Sequence, residues 1–335
     1  MKATAELLTP AEVEEASAQA RALRDELSRV LLDQDAVVQQ VVVALLARGH
    51  VLLEGLPGLG KTELCKAMAR LVDLPFKRIQ FTPDLLPGDI TGTYVIEGGP
   101  ERGFSFRPGP IFGNVVLADE INRASPKTQS ALLEAMQERR VTVLGTTHPL
   151  PEPFFVLATQ NPIELEGTYP LPEAQLDRFL FKVHVGPVGA QTLTRMLTSR
   201  LRGEAPELSR VIGAQGLAAV FAAVDRVFLP EPVAGYIGRI VEATDPKSAG
   251  APERVRRMVR WGASPRAAIS IASAARALAL LEGKPNVGFD EVAAVAPAAL
   301  NHRLVLAHEA ALEGVGGLEI AREVVAAIPE VDRKG

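Results

Sequence analysis

The chain has 335 residues, which is too long for one ordinary hydrophobic core and about right for two domains. Hydrophobic residues make up 47% and charged residues 23%, a composition that excludes a mainly disordered chain. The net charge of -4 excludes a strongly basic protein whose charge alone would imply nucleic acid. With an aromatic content of only 5%, the chain also offers few stacking platforms for bases, so we do not expect a nucleic-acid partner.

The N-terminal stretch is acidic, has a helical pattern and lacks the apolar core of a signal peptide. Thr9-Pro10 followed by Glu12 predicts a helix start, with a capping hydroxyl, a proline in the first turn and an acid near the positive end. A second helix is expected at residues 34–48. Its apolar part, residues 37–47, is far too short to span a membrane, so we expect a soluble, cytoplasmic protein.

Short apolar runs then alternate with helix-patterned segments. Strands are predicted at residues 50–54, 115–118, 154–158 and 179–185, and helices at residues 62–72 and 125–139. Such alternation predicts an α/β domain with a central parallel sheet that is covered on both faces. The single cysteine, Cys65, falls in the first of these helices and excludes a disulfide framework within the chain; we expect a buried structural thiol.

Two segments interrupt the alternation. Residues 89–110 contain two runs of alternating apolar and polar residues on either side of Gly98-Gly99. Residues 139–149 show a second, shorter pattern of this kind. Both predict β-hairpins inserted into the sheet, and long insertions tend to be functional.

Gly186-Pro187 marks a boundary, after which residues 189–328 are helical in pattern. We therefore predict an N-terminal helical segment at residues 1–30, an α/β nucleotide-binding domain at residues 31–187 and a smaller all-α lid domain at residues 188–335.

The strongest motif follows the first predicted strand and opens a helix. It satisfies G-x-x-x-x-G-K-S/T, a phosphate-binding loop whose backbone N–H groups surround a triphosphate at a helix N-terminus. Lys61 is expected to reach the β- and γ-phosphates, and the Thr62 hydroxyl to ligate Mg²⁺. The nucleotide contacts predicted here are Gly55, Pro57, Gly58, Leu59, Gly60, Lys61, Thr62 and Glu63.

The strand at residues 115–118 ends in two carboxylates, Asp119 and Glu120. A parallel strand brings them to the sheet edge beside the phosphate-binding loop, where such folds bind ligands. Asp119 is predicted to hold Mg²⁺ and Glu120 to polarise the attacking water. A solvated strand end is the alternative when such a pair stands alone. The chain has no guanine-recognition motif N-K-x-D, so ATP is the expected nucleotide.

Six blocks, in order, resemble those of MoxR-type AAA+ ATPases: GLPGLGKT, FTPDLLPGDITG, LADEINRASPKTQSALLEAMQER, FVLATQNP, LPEAQLDRFL and GASPRA. The resemblance covers about residues 31–306. It implies an AAA+ module with one insertion in its second helix and another before the sensor-1 strand, where the two predicted hairpins fall. Residues 94–106 and 141–148 would then be candidates for partner contact, with ordinary surface decoration as the alternative.

The resemblance also implies roles for three later residues. Asn161 matches sensor 1, although Asn-Pro alone is simply a turn. Arg178 matches an arginine finger donated to the neighbouring subunit, the alternative being a pair with Asp177. Arg266 matches sensor 2 at the start of a lid helix, where it would contact the nucleotide and report the γ-phosphate to the helical domain; a solvated arginine at a helix start is the alternative. Arg123 is interpreted as a salt-bridge residue rather than a further interface sensor.

The function implied is ATP hydrolysis with Mg²⁺ by a homo-oligomer, expected as a hexameric ring, that remodels or activates a partner protein. Such partners often carry a von Willebrand A domain. A magnesium-chelatase-type ATPase subunit and a DNA-directed AAA+ motor are the alternatives. A non-enzymatic scaffold is disfavoured because every position needed for hydrolysis is filled.

Overall fold

The computed structural model describes residues 7–56, 58–97, 103–162, 167–199 and 208–331. The strands in these ranges are β1 (Val51–Glu54), β2 (Phe76–Gln80), β3 (Gly92–Glu97), β4 (Gly103–Pro108), β5 (Val115–Asp119), β6 (Arg140–Val143), β7 (Thr146–Pro149), β8 (Phe155–Gln160), β9 (Phe181–His184), β10 (Val259–Trp261) and β11 (Val305–Leu306). The helices are α1 (Pro10–Ser28), α2 (Asp35–Leu46), α3 (Lys61–Leu71), α4 (Pro87–Thr91), α5 (Pro126–Glu138), α6 (Glu173–Leu176), α7 (Ala190–Ser199), α8 (Ala214–Arg226), α9 (Glu231–Ala243), α10 (Glu253–Met258), α11 (Pro265–Leu281), α12 (Phe289–Leu300), α13 (His308–Leu312) and α14 (Gly317–Ala327).

The central sheet has the strand order β2-β5-β8-β1-β9, and every neighbouring pair is parallel. This confirms the predicted parallel sheet. Because β1 lies between β8 and β9, the chain reverses its direction of winding beside β1, and ligands bind at such switch points. The carboxyl ends of β1, β5 and β8 therefore lie side by side at one edge.

Strand β2 was not predicted from the sequence. Within the described residues it is an edge strand that pairs with β5 alone, and in Phe76–Gln80 only Ile79 is buried. An edge strand exposed to solvent lacks the continuous apolar run that identified the interior strands.

Side chains that alternate along the interior strands enter two separate hydrophobic cores. Leu53 and Leu117 belong to the core that also contains α1, α2, α3 and the lid helices. Leu52 and Val116 belong to the core on the opposite face, which is covered by α5. Burial on both faces explains the uninterrupted apolar runs. Cys65 is buried in the first core, as predicted, and burial raises the pKa of its thiol.

Helix α1 begins as the sequence predicted. Thr9 and Glu12 form a reciprocal capping box, with Pro10 in the first turn. The helix packs against α2 and α3 and also against α8 and α11 of the lid. The N-terminal helix thus contacts both of the larger units, and the three-part division of the chain stays a prediction.

The lid differs from the expected all-α domain in one respect. Strands β10 and β11 form a short antiparallel pair, in which Val259 lies opposite Leu306 and Trp261 opposite Val305. Two or three residues are too few for a pattern of period 2 to be distinguished from a helix end.

Both predicted hairpins are present. In β3–β4, Tyr94 pairs with Phe106; the Gly98-Gly99 turn lies outside the described residues. In β6–β7, the turn residues Leu144 and Gly145 have φ of 47° and 82°, as a two-residue primed turn requires. The hairpins contact each other through rings, because Phe106 stacks on His148 with centroids 3.8 Å apart.

None of the helices in the described ranges is both long and apolar enough to cross a membrane.

Candidate active site

The phosphate-binding loop lies between β1 and α3, at the predicted place. Gly58 and Gly60 have φ of +84° and +79°, a region that favours glycine. A Cβ on Gly55 would lie 2.6 Å from the backbone oxygen of Val185, so this position also requires glycine. Leu59 packs against the first core and thereby fixes the loop to the domain. Pro57 lies outside the described residues.

Lys61 opens α3, and its ammonium group donates a hydrogen bond of 2.6 Å to the Gly55 carbonyl. Partial burial lowers the pKa of Lys61, an effect that the nearby carboxylates of Asp119 and Glu120 oppose. The ammonium is thus held between the loop and two acids. The ammonium can exchange its hydrogen bond to the loop carbonyl for bonds to stronger acceptors on a bound ligand, such as phosphate oxygens.

Asp119 and Glu120 stand at the carboxyl end of β5. Asp119 accepts a hydrogen bond of 2.7 Å from the Thr159 hydroxyl, and the same hydroxyl accepts one of 2.9 Å from the Glu120 backbone N–H. Glu120 has φ of +56°, which turns the chain sharply at the strand tip. Thr159 therefore orders both acids from the neighbouring strand β8. Thr159 was not predicted as a site residue, because the sequence analysis of this strand considered only its apolar side chains.

Two side chains of β2 reach the same acids. Gln80 donates a hydrogen bond of 3.0 Å to a Glu120 carboxylate oxygen, and Arg78 pairs with Asp119 at 2.7 Å. Arg123 pairs with Glu120 at 3.3 Å, which agrees with its interpretation as a salt-bridge residue. Arg78 and Gln80 could not be assigned to the site without β2, although their i, i+2 spacing places them on one face of a strand.

These elements enclose an open pocket of about 400 Å³. Its described lining is Gly58, Gly60, Lys61, Thr62, Glu63, Arg78, Gln80, Asp119, Glu120, Thr159 and Asn161. The pocket brings together the predicted loop, acids and sensor-1 position, which come from β1, β5 and β8. Glu63 lies at the edge, where its carboxylate pairs with Lys66 at 2.9 Å.

The donor set fits Mg²⁺. The Thr62 hydroxyl and the Asp119 carboxylate both line the pocket, and the Asp119 side chain is only 13% exposed. Magnesium prefers oxygen ligands and is usually held by one or two carboxylates together with the phosphates of a substrate.

Arg178 and Arg266 are not in the described lining of this pocket. Arg178 donates a hydrogen bond of 2.9 Å to the Leu133 carbonyl of α5, and Arg266 pairs with Asp177 at 3.3 Å. The two arginines instead line a separate cleft of about 230 Å³. The structure therefore places Arg266 beside Arg178 and Asp177, and not in the described lining of the pocket at the phosphate-binding loop of its own chain.

The parallel sheet, the loop with its two strand-tip acids and the helical lid are features of the AAA class of ATPases. A family model for ATPases associated with various cellular activities matches residues 50–181, and one for the AAA lid domain matches residues 251–327. A solved structure from Cytophaga hutchinsonii, described as a candidate ATPase, superposes with a TM-score of 0.88 at 36% identity, covering 96% of this chain and 98% of the other.

Several curated relatives are similar over most of their length. An uncharacterised protein, YeaC of Bacillus subtilis, is 45% identical over 91% of this chain and 92% of its own. The chaperone MoxR1 of Mycobacterium tuberculosis is 44% identical over 92% and 81%. The protein MoxR of Methylorubrum extorquens is 32% identical over 84% and 86%. The chain belongs to the MoxR family of AAA+ ATPases.

Proposed function

We propose that this protein hydrolyses ATP at sites between neighbouring subunits of a homo-oligomeric ring, taken as hexameric, and that the cycle remodels or activates a partner protein in the cytoplasm. One observation carries the proposal. Lys61 and Glu120 line a single pocket at the switch point of the sheet, whereas Arg178 and Arg266 lie together in another cleft.

Each group in the pocket has a task in phosphoryl transfer to water. The loop N–H groups and Lys61 bind the phosphates, and Thr62 and Asp119 would hold Mg²⁺. Bound Mg²⁺ neutralises charge on the phosphate oxygens. Glu120 accepts the proton of the attacking water, and Asn161, buried at the end of β8, orients that water.

Arg178 and Arg266 complete the site of the adjacent subunit in this proposal. A guanidinium is suited to that role because it stays charged and bridges phosphate oxygens through two donors. An arginine finger contributes about 10³–10⁵ in rate. The placement of Arg266 beside Arg178 supports a shared role at the interface, because both cations would approach the same neighbouring nucleotide.

Membership in the MoxR family favours a chaperone-like output over a magnesium-chelatase-type subunit or a DNA-directed motor. A close relative is named a chaperone. The partner class we propose is a protein with a von Willebrand A domain. The exposed apolar side chains of the insertion hairpins, Ile96, Phe104 and Leu144, are the candidate contacts.

The test of shared sites uses two inactive variants. Lys61→Ala loses the lysine that binds phosphate in its own pocket but keeps Arg178. Arg178→Ala keeps its own pocket intact but supplies no arginine finger to the neighbouring subunit. Mixed assemblies should regain Mg²⁺-dependent hydrolysis at interfaces where the first variant's Arg178 meets the second variant's pocket. Full hydrolysis by assembled Arg178→Ala alone would exclude the finger role.

The output is tested by partner capture. Glu120→Gln keeps the shape of the base but cannot accept a proton, so it should hold ATP and retain clients. Lys61→Ala is the matched control without nucleotide. Proteins retained only by Glu120→Gln are ATP-dependent partners; equal retention by both variants would contradict ATP-gated remodelling.

A further inference from the structure

The turn that follows α12 lies against the segment that carries Arg178. We call Asn301, His302 and Arg303 the lid clamp, and residues 177–182 the finger segment. The Asn301 side-chain amide donates a hydrogen bond of 2.8 Å to the Lys182 carbonyl. The finger segment runs from the end of α6 into β9 and includes an irregular turn, so part of its backbone must find hydrogen-bond partners outside helix and sheet.

His302 supplies one of these partners. Its Nε2 atom lies 3.0 Å from the Phe179 carbonyl oxygen, and the ring is fully buried. Burial lowers the pKa of His302 well below its ordinary value, so the ring is neutral and carries one proton. Because a carbonyl oxygen can only accept, the Nε2 atom that faces it carries the proton and donates it to Phe179.

Arg303 makes the largest set of contacts. Its Nε donates to the Asp177 carboxylate at 2.7 Å, and its two terminal nitrogens donate to the carbonyls of Phe179 at 2.7 Å and Leu180 at 3.2 Å. The side chain is only 2% exposed. A buried guanidinium is costly unless its donors are satisfied, and here the finger segment supplies most of the acceptors.

The clamp also joins the finger segment to the lid helix that carries Arg266. Arg303 donates to the Ser270 hydroxyl at 3.0 Å, and Ser270 lies one turn after Arg266 on α11. Asp177 accepts from Arg303 through one carboxylate oxygen and from Arg266 through the other, at 3.3 Å. One carboxylate next to Arg178 therefore bridges two arginines of the lid.

We propose that Arg303 is a positioning residue that fixes Arg178 relative to the lid, so that motion of the lid moves the finger toward or away from the neighbouring ATP. This inference rests on the proposed function, in which Arg178 acts on the adjacent subunit. The Arg303 side chain is almost completely buried and directs its donors at groups of its own chain, so we expect it to act through Arg178 and not on a nucleotide directly. Its effect should therefore appear in the site of the neighbour and not in the pocket of its own chain.

The experiment uses the complementing pair of variants. The donor protein carries Lys61→Ala and the acceptor protein carries Arg178→Ala, and Arg303→Lys is placed in one or the other. Lysine keeps the charge but lacks the planar fork that reaches several acceptors at once. Because a misplaced catalytic group costs on the order of tenfold to a hundredfold, we expect kcat of the mixture to fall by about tenfold or more with Arg303→Lys in the donor and by less than about twofold with it in the acceptor. KM for ATP should stay unchanged in both mixtures.

Equal losses in donor and acceptor would overturn the inference, since a purely structural role weakens either chain alike. An unmodified pair that shows no more hydrolysis than its parents would instead overturn the proposed function, and the inference with it. Arg254→Lys is the matched control: this lid arginine pairs with Glu319 at 2.5 Å and Glu323 at 3.1 Å, away from the finger segment.

Thermal unfolding and assembly of each variant are measured alongside. If Arg303→Lys does not fold, Ser270→Ala and Asn301→Ala carry the test. Ser270→Ala removes one hydrogen bond to Arg303, and Asn301→Ala removes the bond to the Lys182 carbonyl together with a long one of 3.5 Å to the Ala298 carbonyl. We then expect the same asymmetry at a few-fold scale, since one hydrogen bond contributes about 1 kcal/mol. Symmetric or absent effects of both milder variants would overturn the inference.

Discussion

The side-chain amide of Gln80 donates a hydrogen bond of 3.0 Å to a carboxylate oxygen of Glu120. A hydrogen bond to a carboxylate is strong and directional, so it holds the Glu120 side chain in this orientation. Gln80 in turn is held by Arg78, at 2.6 Å. Strand β2 thereby restrains the proposed general base and connects it with the edge of the sheet.

Replacing Gln80 with alanine should release this restraint. We expect kcat for basal ATP hydrolysis to rise about two- to tenfold with KM for ATP unchanged, because a hydrogen bond to a charged group contributes about 1.5–3 kcal/mol and only part of it opposes the reaction. Steady-state kinetics measures both constants. Lys77→Ala is the control from the same strand, because the Lys77 side chain is not in the described lining of the pocket. A fall of kcat toward that of Glu120→Gln would show that Gln80 orients the base productively.

Arg78 should compete with Mg²⁺ for Asp119. Their 2.7 Å ion pair occupies one carboxylate oxygen, and the arginine is 47% exposed. We expect Arg78→Gln to lower the Mg²⁺ concentration for half-maximal hydrolysis by about two- to fivefold, since a partly exposed pair contributes about 0.2–1 kcal/mol. Titration of activity with Mg²⁺ at saturating ATP measures the shift. A raised KM for ATP with an unchanged Mg²⁺ midpoint would assign Arg78 to phosphate binding instead.

His50 should make the stability of the fold depend on pH. Its Nδ1 accepts a hydrogen bond of 3.0 Å from the Val156 N–H, and complete burial lowers its pKa from 6.5 to about 3. The unfolded chain binds a proton below 6.5, whereas the folded chain does not until about 3. The stabilisation is therefore fully present above the unfolded value and is lost as the pH falls, at up to about 1.4 kcal/mol per pH unit.

Denaturant unfolding at a series of pH values between 7 and 4 checks this directly. His50→Gln should unfold more easily at neutral pH but show a shallower loss of stability on acidification. His184→Gln is the control, because His184 is exposed on β9. Identical slopes for His50→Gln and the wild type would mean that His50 does not carry the linkage.

The sequence predicted the interior of the sheet because each interior strand is apolar on both faces. Leu52 and Leu53 enter different cores, so β1 is a short uninterrupted apolar run. That run lies between a helix and a glycine-rich turn, and this position identified it as a buried strand. The same reasoning failed at β2, which is half exposed, and Arg78 and Gln80 were missed with it.

The surroundings of Arg266 and Arg303 at the proposed interface could not be predicted from the sequence for a different reason. The motif around Arg266 indicated the start of a lid helix, and a helix does begin there, at Pro265. Which pocket Arg266 lines depends on how the lid packs on the sheet, and the local sequence does not determine that packing. The role of Arg303 could not be predicted from the neighbouring sequence, since its acceptors in the finger segment lie more than a hundred residues earlier in the chain.

The ring contact between the insertion hairpins leads to the last prediction. An isolated two-stranded ribbon is marginally stable, so β3–β4 and β6–β7 need partners. Phe106 and His148 supply one, with rings 3.8 Å apart and 12° from parallel, and the Tyr94 ring lies 5.5 Å from that of Phe106. Because the aromatic contact is worth about 0.5–1.5 kcal/mol beyond burial, a double-mutant cycle of Phe106→Ala and His148→Ala should show a coupling energy in that range.

Hydrogen exchange distinguishes a joined unit from two independent ribbons. In either single variant, amide protection should fall in both hairpins, including the one that is not mutated, because each ribbon loses the same partner. Thr147→Ala is the control on β7, where the hydroxyl pairs with Thr142 within its own hairpin at 3.1 Å. Loss of protection confined to the mutated hairpin, together with an additive cycle, would show that the hairpins move separately and that a partner protein could engage either one alone.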